Sequence, residues 1–107
     1  ADFRVFLTSD HGNVESSGIG RPLEGAVADV RGERVRVYPS AELRSLTKAQ
    51  FPDTLEWPAI GLPENYLPLL AGRRYGFIPV GETVVSHGGI SLEEVVVPFV
   101  EVKRRKQ

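Results

Sequence analysis

Two apolar runs in this chain break off at the same dipeptide. FRVFL, beginning at Phe3, continues through Thr8 into Ser9-Asp10-His11-Gly12, and TVV, beginning at Thr83, passes into Ser86-His87-Gly88-Gly89. No other histidines are present. β-Branched and aromatic residues followed at once by turn formers describe short strands, each with a polar cluster at its carboxyl end. The fold must therefore bring several short strands together and leave their ends free for chemistry.

The pieces between these runs alternate. Residues 12 to 25, which hold four glycines with Asn13, Ser16, Ser17 and Pro22, read as an irregular connection. AVADV, RGE and RVRVY read as two strands around a turn. Ser40 is placed to cap a helix that carries Leu43, Leu46 and Phe51 on one face, with Glu42 near its positive end and Pro52-Asp53 closing it. From 54 to 82 prolines and glycines punctuate short apolar segments, with a second short helix expected from Pro63 to Leu70. Trp57, Tyr66, Tyr75 and Phe77 read as core or covering aromatics, because no basic groove accompanies them to make a base-stacking platform. Ser91-Leu92-Glu93-Glu94 has the spacing of a capping box, and VVVPFVEV closes the chain as a strand. The fold class that follows is α/β, a partial mixed sheet with short helices, and in such sheets ligands gather beyond the carboxyl ends of the strands.

Composition narrows the function classes. At 107 residues, 41% hydrophobic and 25% charged, the chain is long enough for one domain with a core. A net charge of −1 gives no general attraction to nucleic acid or anionic lipid. Residues 1–102 form the domain, and 103–107, which hold KRRK, read as a solvated basic tail. No run approaches the ~18 apolar residues of a membrane span, and no charged-then-apolar leader is present. A cytoplasmic setting is expected, with which the absence of cysteine is compatible. With no methionine, and with the first strand beginning almost at once, a piece of a larger protein is expected.

Asp10, His11 and His87 are the candidate metal ligands. Carboxylate oxygen and imidazole nitrogen are donors that suit zinc or manganese, and adjacent loop side chains can converge on one ion where adjacent strand residues point apart. The same residues also admit a plain reading, in which Asp10 caps a turn and both histidines are loop residues. A Ser-His-Asp triad built on Ser9 or Ser86 lacks a Gly-x-Ser-x-Gly elbow. Arg34 and Arg36, alternating onto one strand face, read as a solvated face or as a fork for phosphate. Glu94 reads as the capping partner of Ser91. Motif geometry leaves the metal and turn readings both open.

TSDHG after a strand, and HGGISLEEVVVP near the other end, resemble the carboxyl-terminal part of a PglZ domain, a branch of the alkaline phosphatase superfamily. The likeness runs from about Phe3 to Val100, with GRPLEG and LPENYLPLLAGRRYGF in the middle matching only loosely. It implies a doubly wound α/β domain in which two divalent ions, commonly zinc, flank a phosphate ester or phosphodiester. In that scheme Asp10 and His11 resemble the adjacent pair on the nucleophile-side ion, and His87 resembles the late histidine of the other ion. The family's early aspartate, nucleophile and Asp-x-x-x-His pair normally precede the Ser-Asp-His-Gly strand, and here only Ala1 to Leu7 do. The expectation is thus a phosphoesterase part that carries an incomplete dinuclear site, is inactive alone, and comes from a protein with a role in phage defence. The alternative is a non-catalytic interaction or assembly module. An exposed apolar sheet edge or face is expected to drive self-association, and His11 and His87 are expected within roughly 10 Å of each other, through strands that end at Thr8 and Val85 and lie close in the sheet.

Overall fold

The strand that opens the chain, β1 (Val5–Thr8), pairs antiparallel with the strand that closes it, β9 (Phe99–Val102), with Val5 opposite Val102 and Thr8 opposite Phe99. The computed structural model describes residues 2–22, 28 and 30–105. Among these, the two terminal strands form a two-stranded ribbon of their own, and two further sheets make up the rest. Leu23, Glu24 and Gly25 of the loosely matched middle, Ala26, Val27 and Asp29 of the first hairpin arm, and Lys106 of the basic run lie outside the described residues.

A three-stranded sheet has the order β7-β2-β8. Its central strand, β2 (Val14–Gly18), lies antiparallel to β8 (Thr83–Ser86) and parallel to β7 (Tyr75–Gly76). The expected irregular connection over 12 to 25 is therefore corrected at β2. Alternation is present there, with Val14 and Ser16 buried and Glu15 and Ser17 exposed, but small polar residues carry it where apolar ones would advertise a strand.

The four-stranded antiparallel sheet has the order β3-β4-β6-β5, built from β3 (Val30–Arg31), β4 (Val35–Tyr38), β5 (Leu55–Glu56) and β6 (Leu67–Leu70). Here β3 and β4 are the expected pair around the Gly32 turn. The helix expected from Pro63 to Leu70 is absent. Pro68 would have fallen in its interior, where it has no N–H to give and its ring clashes with the preceding turn. As a strand residue it faces Val37, and its carbonyl accepts the Trp57 N–H at 3.1 Å.

Helix α1 (Ala41–Gln50) starts as expected: the Ser40 hydroxyl accepts the Leu43 N–H at 3.3 Å, and Glu42 lies in the first turn. It packs against β4, β6 and β5. Leu43 and Phe51 pack onto a core of Ala28, Tyr38, Leu69, Ala71 and Phe77, and Phe51 meets Phe77 edge to face at 6.0 Å. Leu46, however, is 64% exposed, and Thr47 takes the buried place between the sheet-facing positions. Of the aromatics, Phe77 is core, whereas Trp57 and Tyr66 remain partly exposed. The second helix, α2 (Leu92–Val95), is a single turn, and the expected eight-residue closing strand begins only at Phe99. No helix among the described residues is long and apolar enough to cross a membrane.

These parts make an elongated molecule of 64 × 35 × 18 Å. Its radius of gyration of 18.0 Å exceeds the ~13 Å of a compact domain of this length. The terminal ribbon is the extended part: all four residues of β1 are exposed, as are Phe99, Val100 and Val102 of β9.

Candidate functional site

β1 and β8 lie in different sheets, which corrects the expectation that they are close in one sheet. Their histidines nevertheless meet. β2 begins directly after the Asp10-His11-Gly12 loop and pairs Val14 with Ser86, so the residues preceding Val14 run back toward those following Ser86. The imidazoles of His11 and His87 stack with centroids 3.8 Å apart and ring planes at 16°. The strand that sequence patterning failed to mark is thus what joins the two motifs that patterning did mark.

The geometry of the first loop orients His11. Its Nδ1 lies 2.8 Å from the Gly12 carbonyl, which can only accept, so Nδ1 carries the proton and donates it. In the neutral imidazole Nε2 then keeps its lone pair, 3.6 Å from Oδ1 of the largely exposed Asp10. Two electron-rich atoms thus face one another at a separation that suits a cation between them. Two ligands at 2.0–2.2 Å from a tetrahedral ion are about 3.4 Å apart. By donor chemistry alone Asp10, His11 and His87 suit a divalent metal, but among the described residues no three His, Cys, Asp or Glu side chains are grouped so as to hold an ion.

Neither serine serves a triad. Ser9 donates to the His11 carbonyl at 3.0 Å, and Ser86 is buried with its hydroxyl 3.4 Å from that of Ser16. Beyond Gly88 an open recess of about 360 Å³ runs along the four-stranded sheet, walled by Val35, Trp57, Tyr66 and Ile90.

Arg34 departs most from its sequence reading. It is neither solvated nor a phosphate fork: it is 1% exposed, and its guanidinium meets the 3% exposed Glu94 with Nη2 at 2.6 Å from Oε1 and Nε at 3.1 Å from both oxygens. Arg34 also donates to the Tyr75 carbonyl at 2.5 Å. Arg36 instead lies over the Phe77 ring, 5.6 Å from its centroid. The same Glu94 carboxylate accepts the Gly89 N–H at 2.6 Å, the Ser91 N–H at 3.2 Å and the Ser91 hydroxyl at 2.7 Å. Burial alone raises the Glu94 pKa, but the hydrogen bonds from Arg34, Ser91 and the Gly89 backbone outweigh it and bring it down to about 2. The capping box over Ser91 was legible in the spacing, whereas nothing local marks Arg34 as its buried partner 60 residues away. Glu93, the neighbouring carboxylate, faces outward and pairs with Arg74 at 2.6 Å.

No match was found for this chain among curated proteins or solved structures. A family model does match, over residues 2–102, and its description is the BREX system PglZ alkaline phosphatase-like domain. With both histidine loops inside the matched span, and the match covering nearly the whole chain, this protein belongs to the PglZ family.

Proposed function

We propose that this chain is part of a metal-dependent phosphohydrolase or phosphodiesterase of PglZ type, acting in the cytoplasm as a component of phage defence. In this reading its sheets are the carboxyl-terminal part of a doubly wound, alkaline-phosphatase-like domain. The observation that supports it is the meeting of the two His-Gly loops: Asp10 Oδ1 lies 3.6 Å from His11 Nε2, and the His87 ring stacks on that of His11. Asp10 and His11 would hold one divalent ion and His87 the other, zinc being the first choice and manganese the second. Two such ions, when bound, supply the Lewis acidity that activates a nucleophile and neutralises the phosphoryl oxygens. The chain's own part is to present the ligands. The Gly12 carbonyl holds the His11 tautomer so that Nε2 faces Asp10. Further ligands and the nucleophile are to come from elsewhere in the complete centre, so the chain by itself is expected not to hydrolyse a model phosphodiester.

Calorimetric titration with zinc chloride and with manganese chloride tests this reading. Wild type is expected to bind one ion weakly at Asp10 and His11, with Asp10→Asn and His11→Ala each lowering the affinity at least tenfold. Equal affinity in wild type and the variant carrying both substitutions would refute the assignment.

A second reading, a non-catalytic assembly module, is favoured by a different observation. The terminal ribbon leaves Phe6, Leu7, Phe99 and Val100 exposed, and the molecule is drawn out beyond the size of a compact domain. In that reading the ribbon associates with its like in a second copy.

A further inference from the structure

We infer that Glu94, pinned by Arg34, is the positioning residue that holds the two histidine loops against each other. Its carboxylate accepts the N–H of Gly89, two residues beyond His87, at 2.6 Å. Its backbone carbonyl accepts the N–H of Gly12, the residue after His11, at 2.7 Å. One residue therefore ties both loops, by side chain and by main chain. Both glycines are closely approached by the clamp. A Cβ on Gly89 would stand 2.7 Å from Glu94 Oε1 and 2.8 Å from Arg34 Nη2, and one on Gly12 would stand 1.8 Å from the Glu93 carbonyl oxygen.

The arrangement does more than stabilise. A buried ion pair contributes little net stability compared with apolar residues of the same volume. It does supply a fixed anion, and here that anion is aimed at backbone N–H groups of a loop whose neighbouring side chain, His87, is exposed. Arg34 is itself anchored on the far side by the Tyr75 carbonyl, in β7 of the three-stranded sheet. The clamp thus transmits the position of that sheet to the His87 loop, while β2 of the same sheet carries the His11 loop.

The test uses the full chain and two variants, Glu94→Gln and the apolar double replacement Arg34→Met with Glu94→Met, which leaves no unpaired buried charge. With only two histidines, the imidazole proton signals are readily assigned, and ring-to-ring cross-peaks in the metal-free protein report their contact directly. Zinc alone is the second probe. The expected result is a cooperatively unfolding protein in at least the double variant, with the ring cross-peaks lost and zinc affinity reduced 10–100-fold from wild type. A purely structural role would move the unfolding midpoint but leave the ring contact. Cross-peaks retained in a folded variant, with zinc affinity within twofold of wild type, would overturn the inference, as would failure of both variants to fold. The zinc arm rests on the metal reading and the ring arm does not: a wild type with ring contact but no zinc binding defeats the former and leaves the clamp to be judged on the cross-peaks.

Discussion

Gly12 sits where a single methyl group decides whether the site exists. The ideal position of a Cβ is 1.8 Å from the Glu93 carbonyl oxygen, and the atom in the way is backbone, which cannot swing aside. Gly12→Ala is expected to destabilise the chain by about 1–3 kcal/mol, the usual range for overpacking, and to separate His11 from His87. Chemical denaturation and the histidine cross-peaks check both parts. Glu94 makes a second prediction at this scale. Its carboxyl is held at about 2 in the folded protein against an ordinary value of 4.5, so folding binds fewer protons here than unfolding does. The stabilisation is complete above pH 4.5 and is lost as pH falls toward about 2. In urea melts from pH 6 to pH 2, wild type should lose its advantage over Glu94→Gln across that window. A constant difference down to pH 2 would show that the carboxylate is not the stabilising form.

Among the elements, α1 was the most legible and still partly misread. Its cap, first-turn acid and stop were all visible in the sequence, because each acts within four residues. Ser40→Ala should cost about 1 kcal/mol, whereas Ser45→Ala, at an exposed interior position, should cost nothing measurable. The face of the helix was less well marked. Leu46 looked like core by spacing, yet the sheet contacts Leu43 and buries Thr47 while leaving Leu46 to solvent. Leu46→Gln is accordingly expected to change stability by no more than about 0.5 kcal/mol by thermal melting. β6 went the other way: its leucines suggest a helix, and pairing with β4 across Val35 to Tyr38 made them a strand. Intrinsic preference for Leu in helices is a few tenths of a kcal/mol per residue, too small to resist a ladder that buries Leu69 and Leu70.

At the scale of the molecule, the ribbon of β1 and β9 is the part expected to govern behaviour in solution. Phe6 and Phe99 stack at 5.1 Å, and the Arg4–Glu101 pair at 3.3 Å adds a surface bond, but a two-stranded ribbon with both faces open is marginal alone. Apolar surface of this kind is a docking hazard. The chain is expected to self-associate at micromolar concentration. Phe6→Lys combined with Phe99→Glu should return it to a monomer without disturbing the histidine contact, which is made by loops that β2, β8 and Glu94 hold. Sedimentation velocity measures both, and a wild type that runs as a clean monomer would remove the association.

What the sequence determined by itself was everything that acts over a few residues. The runs at Val5, Val35, Thr83 and Phe99 became strands, Ser40 and Ser91 became caps, and Asp10, His11 and His87 stood out because histidine is rare here and each one ends an apolar run. Tertiary structure alone decided the rest. β2 is a strand because β7 and β8 supply its hydrogen bonds on either side, not because Val-Glu-Ser-Ser-Gly favours one. Arg34 is buried because Glu94 arrives from the far end of the chain to meet it. The two histidines touch because β2 pairs with β8 and Glu94 ties both loops. Local propensity is worth tenths of a kcal/mol per residue, whereas a hydrogen bond in a closed ladder is worth about 1 kcal/mol and a buried charge left without its partner costs about 3–5 kcal/mol. The long-range partner therefore wins wherever the two conflict, and it leaves no local mark to read.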